Sequence, residues 1–178
     1  MKLVIIGNIG SGKTTILKKL NKYFQYEEVI IDNYRIDFGN GDIDGEFLAR
    51  DNFFLTIKEG KNQFIECTGV GEVATRLFKQ INKYEEDFYL LKLITSKESC
   101  ANRIRNRNWN IPFPFKKEPL FSKLTRIEME LSSKINCQKK LLRNDVKIYQ
   151  KKNEVIEDVN SIVKEMILEI QKFSKHDR

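Results

Sequence analysis

The sequence predicts an α/β protein, a three-layer α/β/α sandwich around a five-stranded parallel sheet. Two observations carry this. Short β-branched runs alternate with helix-spaced apolar runs almost from end to end, the pattern that builds parallel sheets with right-handed crossovers. And Gly7-Asn-Ile-Gly-Ser-Gly12-Lys13-Thr14 joins the first such run to the first such helix. In sheets of this kind ligands lie beyond the carboxyl ends of the strands, so the residues just after each strand are the ones to inspect.

Taken in order, Lys2–Ile6 reads as a buried strand ended by Gly7. Thr14–Phe24 places Ile16, Leu17, Leu20 and Phe24 at helical spacing. Glu28–Asp32 is a second strand. The polar, Gly- and Asp-rich stretch Asn40–Gly45 reads as a loop, and Glu46–Lys58 as a helix. Gln63–Cys67 is a third strand, Glu72–Tyr84 a helix, and Phe88–Ile94 a fourth strand. Ser96 fits an N-cap for a helix reaching about Arg107. All three prolines fall between Trp109 and Pro119, which excludes regular helix there. Residues 108–120 are therefore expected to form a lid, in which Trp109, Phe113 and Phe115 stack on a base or pack the lid itself. Phe121–Leu142 resumes helical spacing through Leu124, Ile127, Leu131 and Ile135. Asp145–Tyr149 is a fifth strand and Glu154–Phe173 a last amphipathic helix.

At 178 residues the chain is expected to form one domain, 1–178, with a sizeable core. No window approaches a membrane-spanning length, and no signal-peptide pattern is present, so a cytoplasmic protein is expected. Three dispersed cysteines without a C-x-x-C, and a single histidine, His176, near the end, argue against a disulfide framework, a structural zinc site or histidine catalysis. The net charge of +7 is uneven: residues 1–95 carry −1 and residues 96–178 carry +8. A basic half fits phosphate-bearing small molecules or nucleic acid, or else lysine-rich solvated helix faces.

The chemistry of Gly7–Thr14 explains its composition. Glycines let successive N–H groups turn into one concavity. The helix beginning beyond them adds unpaired N–H groups and a positive dipole end. Lys13 supplies a cation for outer phosphates and the Thr14 hydroxyl a ligand for Mg²⁺. Gly7, Asn8, Ile9, Gly10, Ser11, Gly12, Lys13, Thr14 and Thr15 are thus the expected nucleotide-binding residues.

Other strand ends extend the site. Asp32 is placed to accept a proton from an attacking hydroxyl, or to hold Mg²⁺ through water, or to cap the following turn. Arg35 is placed to grip an anionic group of the acceptor. Glu66 either supports the metal or is an ordinary strand-end acid. Gly69, with Thr68 and Gly71, offers close backbone approach to a substrate. Arg50 and Arg76 are spare cations for a carboxylate or phosphate, or plain surface. Arg103 and Arg107, four apart, share a helix face next to the proline-rich segment, where positive charge would meet a transferring phosphoryl group or else rest at a solvated helix end.

Together these parts resemble the small P-loop kinases: the adenylate-kinase-like nucleotide and nucleoside kinases, shikimate and gluconate kinases, and the kinase domain of polynucleotide kinases. Gly7-x-x-Gly10-x-Gly12-Lys13-Thr14-Thr15 looks like their phosphate loop, and Arg103-Ile-x-x-Arg107 like the run-up to their lid. The resemblance implies ATP and Mg²⁺ as nucleotide and metal. It implies transfer of the γ-phosphate to a hydroxyl or phosphate of a small-molecule acceptor, a nucleoside or nucleotide among the candidates, and Asp32 as the acid that meets that acceptor. Asp32-x-Tyr34-Arg35 is similar to the acceptor segment of the polynucleotide kinases, which keeps a 5′-hydroxyl polynucleotide as an alternative acceptor. A regulatory ATPase without an acceptor is the other alternative. The Asp-Gly-Phe-Pro-Arg run of nucleoside monophosphate kinases, and the Asp-x-Asp and Gly-Gly-Gly of shikimate kinases, are absent from the sequence.

Overall fold

A computed structural model describes residues 1–83, 87–107, 111–112, 118–138, 142 and 145–174. The aromatic residues Trp109, Phe113 and Phe115, most of the expected lid, and His176 lie outside the described residues. The elements run β1 (Lys2–Gly7), α1 (Lys13–Phe24), β2 (Glu27–Ile30), α2 (Ile31–Phe38), α3 (Ile43–Glu59) and β3 (Gln63–Glu66). They continue with α4 (Gly71–Lys83), β4 (Phe88–Ile94), α5 (Lys97–Arg105), α6 (Leu120–Gln138), β5 (Lys147–Lys152) and α7 (Ile156–Ser174).

The five strands are parallel and lie in the order β2-β3-β1-β4-β5. The central strand, β1, is buried along its whole length, which is why Leu3–Ile6 is an apolar run; the buried Lys2 at its start donates from Nζ to the Ile57 carbonyl. Its side chains alternate between two cores. Val4 and Ile6 join Val29, Phe53, Phe54, Ile65, Leu77, Ile81 and Leu131 on one face. Leu3 and Ile5 join Ile16, Leu17, Leu20, Leu91, Val163 and Met166 on the other. Each such fully buried aliphatic side chain stabilises the fold by about 1.5–3 kcal/mol. β5 lies at the sheet edge, and its sequence Lys-Ile-Tyr-Gln-Lys-Lys puts charge on that edge, which discourages pairing with another chain.

The structure departs from the sequence-based expectation in several places. α5 ends at Arg105 with Asn106 as its C-cap, so Arg107 stands beyond the helix and does not share a helix face with Arg103. The second strand stops at Ile30, and Ile31–Phe38 forms a helix, so Asp32 stands in a first helical turn, where the dipole favours an acid. Tyr34 holds this short helix by stacking on Phe38 and meeting Phe53 edge to face, with centroids 6.3 and 5.6 Å apart. The expected loop Asn40–Gly45 already contains the start of α3, because the Asp42 side chain accepts the Gly45 N–H at 2.7 Å and caps it. The last strand begins at Lys147 and runs to Lys152, beyond its expected end.

Candidate active site

The loop between β1 and α1 is shaped by backbone that other residues resist. Gly10 and Gly12 hold φ values of +74° and +91°. A β-carbon at Gly10 would lie 2.6 Å from the Cys100 carbonyl oxygen, and one at Gly12 would lie 2.5 Å from Asn153 Nδ2. Gly12 begins α1 without a side-chain cap, and the first turn of that helix holds no acid. Its N–H groups and dipole end therefore remain available to an anion.

The loop is also tied from behind. Asn8 donates from Nδ2 to the Leu124 carbonyl at 2.8 Å, and its Oδ1 accepts from Ile9 N–H. Asn153, fully buried, donates from Nδ2 to the Ser11 carbonyl at 2.6 Å. Thr95 Oγ1 donates to the Asn153 carbonyl at 3.1 Å. Arg103 donates to the carbonyls of Glu154 at 2.7 Å, Asn153 at 3.1 Å and Gly10 at 3.4 Å. The carboxylate of Glu154 in turn accepts from Ser96 N–H and Oγ. Arg103 is thus a clamp between the loop and the segment joining β5 to α7, and it is not among the side chains lining the adjacent cavity.

That cavity, about 600 Å³, opens at the carboxyl ends of the strands. It is lined by Ile9, Gly10, Gly12, Lys13 and Thr14 from the loop, and by Asp32, Arg35, Arg50, Glu66, Thr68 and Arg107. The structure therefore brings together the expected phosphate loop, Asp32, Arg35, Arg50, Glu66 and Arg107. Gly7, Asn8, Ser11, Thr15 and Gly69 are not among the lining residues. Gly69 holds φ +77° against Ile6, and the Thr68 carbonyl accepts from Gly7 N–H at 3.4 Å.

Lys13 is 7% exposed, and its Nζ donates to the Asn8 carbonyl at 2.9 Å and stands 3.9 Å from Glu66 Oε1. Glu66 Oε2 is buried with no hydrogen-bond partner. Burial raises the Glu66 carboxyl above the usual carboxylate range, and Lys13 and the Thr14 hydroxyl pull the other way without cancelling it. A buried acid oxygen left unsatisfied beside a threonine hydroxyl is a donor pair suited to a hard cation. Among the described residues no group of three or more His, Cys, Asp or Glu side chains forms a metal cage. The residues present therefore fit Mg²⁺ shared with phosphate oxygens and water rather than enclosed by protein.

Opposite the loop, the charges are interlocked. Arg35 makes a two-pronged pair with Glu46, 2.9 and 2.8 Å, and donates to Asp32 Oδ1 at 2.9 Å. Arg50 donates to Glu46 at 2.7 Å and to Glu72 at 2.9 Å. Burial acts to raise the Glu46 carboxyl, but hydrogen bonds and charge from Arg35 and Arg50 outweigh it and hold it below the usual range. Glu46 was missed as a site residue because it reads as the first residue of a helix; its spacing of four from Arg50 was the available signal. Arg76, the other spare cation, pairs with Asp51 at the surface and lies over the Phe54 ring. α6 adds Lys123, Arg126, Ile127 and Glu130 to the cavity wall. Glu130 accepts from the Gly71 N–H at 2.6 Å, and Arg126 pairs with Glu118 at 2.9 Å. No short sequence pattern marks these, since they come from a helix remote in sequence from the loop.

Comparison with known proteins places the architecture. No family model matches the chain. It is similar to the nucleoside-triphosphatase THEP1 of Thermotoga sp. (strain RQ2), 29% identical over 188 residues that cover 100% of this chain and 99% of that protein. Among solved structures it resembles shikimate kinase from Bacteroides thetaiotaomicron, with TM-score 0.62, 16% identity, and 96% and 98% of the two chains covered. It also resembles deoxyadenosine kinase from M. mycoides with bound dATP, with TM-score 0.56, 16% identity, and 93% and 99% covered. The fold is that of the P-loop kinases. Among the described residues no helix is long and apolar enough to cross a membrane.

Proposed function

We propose that a chain with the P-loop kinase fold and this cavity is an ATP-dependent phosphotransferase that moves the γ-phosphate to a hydroxyl of a small molecule. One observation carries the reading: a single cavity runs from Lys13 and Thr14 to Asp32, with room for a phosphate and an acceptor in one enclosure. The loop N–H groups and the start of α1 bind the phosphates, and Lys13 neutralises the outer ones. Thr14 and Glu66 would hold Mg²⁺, which when bound supplies positive charge to the phosphate oxygens. Asp32 takes the proton of the acceptor hydroxyl, and Arg35 holds the Asp32 carboxylate in place. Arg107 brings positive charge to the transferring group, and Arg103 acts through the loop carbonyls it binds. Positioning and electrostatics supply the acceleration, with no covalent enzyme intermediate.

The test is a radiolabelled-phosphate screen with ATP and Mg²⁺ against hydroxyl compounds, with and without Asp32→Asn. Transfer should fall by about 10²–10⁴-fold in the variant while ATP affinity stays near wild type. Unchanged transfer in Asp32→Asn would refute Asp32 as the base. The whole-length likeness to a nucleoside triphosphatase supports a second reading, hydrolysis without an acceptor. Inorganic phosphate release that no hydroxyl compound diverts would favour it.

A further inference from the structure

Arg35, which binds Asp32, and Arg50 both line the cavity, and the sequence suggests them as readers of an anionic substrate group. Their side chains tell otherwise. All three Arg35 nitrogens are engaged, Nε and Nη2 by Glu46 and Nη1 by Asp32. Arg50 is engaged through Nε by the same Glu46 and through Nη1 by Glu72. Two cations face three carboxylates, so this wall carries a formal −1. Glu46 is 4% exposed, and an anion that displaced it from either arginine would leave a buried carboxylate without its partner. The facing wall from α6 sets Lys123 and Arg126 against Glu118 and Glu130, which balance. Ile31, Val70, Val73, Ile111 and Ile127 also line the cavity. Such a chamber offers both carboxylates and apolar contact, and its remaining cations are Lys13 of the phosphate loop and Arg107, which the proposed function assigns to the transferring phosphoryl group.

Resting on the phosphotransferase reading above, we infer that the acceptor is an electrically neutral hydroxyl compound with an apolar face. A carboxylate- or phosphate-bearing acceptor is rejected. The Glu46 carboxylate, shared by Arg35 and Arg50, and the Glu72 carboxylate are the positioning groups that enforce this. They spend the two guanidiniums within the protein and leave none to attract an anion.

The test is calorimetric binding to the full chain saturated with ADP and Mg²⁺. The ligands are matched pairs: neutral hydroxyl compounds, nucleosides and polyols among them, each with its own carboxylate derivative. The neutral members should bind, and the preferred one should bind at least about 100-fold more tightly than its anionic partner. Glu72→Gln, at a position exposed enough to be replaced without unfolding, should narrow that ratio by about tenfold, because Arg50 gains uncompensated charge. Preference for the anionic members, binding of neither, or a ratio unmoved by Glu72→Gln would overturn the proposal. The phosphotransferase reading fails separately: a neutral compound that binds selectively but receives no phosphate from ATP refutes the transfer and leaves the charge rule standing.

Discussion

Replacing Arg103 with Met separates a clamp from a catalytic cation. The guanidinium makes two well-formed hydrogen bonds to backbone carbonyls, 2.7 Å to Glu154 and 3.1 Å to Asn153, and a long one to Gly10 at 3.4 Å. Hydrogen bonds from a charged donor contribute about 1.5–3 kcal/mol each, and water recovers part of that at a half-buried site, so a loss of about 2–4 kcal/mol is expected. In a chain of this size that corresponds to a Tm fall on the order of 5–15 °C. Urea unfolding of the apo protein measures the stability, and titration with a fluorescent ADP measures the loop. Both should weaken together, since Gly10 is part of the phosphate loop. Arg103→Lys should not restore either, because an ammonium cannot span carbonyls on two segments as a planar fork does. Wild-type apo stability and ADP affinity in Arg103→Met, with phosphoryl transfer lost and partly rescued by Lys, would refute the clamp and make Arg103 a direct electrostatic catalyst.

Gly10→Ala should cost about 1–2 kcal/mol for a left-handed alanine. Its methyl contact with the Cys100 carbonyl adds about 1–3 kcal/mol, and ADP titration should show a larger loss of affinity than urea unfolding shows of stability. Glu46 has a carboxyl depressed in the fold, so its contribution to stability is present above its ordinary value of 4.5 and is lost as pH falls through the lower folded value. Glu46→Gln should therefore destabilise by about 3–5 kcal/mol at neutral pH and flatten the acid limb of a stability-versus-pH curve measured by urea unfolding. Cys67 and Cys100 are buried, with thiols pushed up by burial to about 12 and about 11. Site-resolved mass spectrometry should find both unalkylated by iodoacetamide at neutral pH until denaturant unfolds the chain.

The sheet and the glycine-rich loop were legible in the sequence because each rests on local chemistry. Leu3–Ile6 is apolar because both faces of the central strand are buried, and the left-handed backbone at Gly10 and Gly12 favours glycine, so both announce themselves. α2 was not legible, because Val-Ile-Ile-Asp reads equally well as the end of a strand. Its helical state depends on Tyr34 packing against Phe53, a partner in another element. The arginines show the same limit in the site. Sequence gives Arg35 as a cation but not its partners, and the partners decide what a cation does. Glu46 pairs with Arg50 within α3 and reaches Arg35 only once α2 and α3 pack together. Arg103 and Arg107 look equivalent at a spacing of four, yet one points to backbone carbonyls and the other lines the cavity.

The bond from Asn153 to the Ser11 carbonyl joins two segments 142 residues apart in the sequence. A chain extending past Thr15 but lacking that asparagine would carry the whole glycine-rich loop without this brace. On the proposed function, competence to capture nucleotide should therefore wait until β5 and the residues after it have been made.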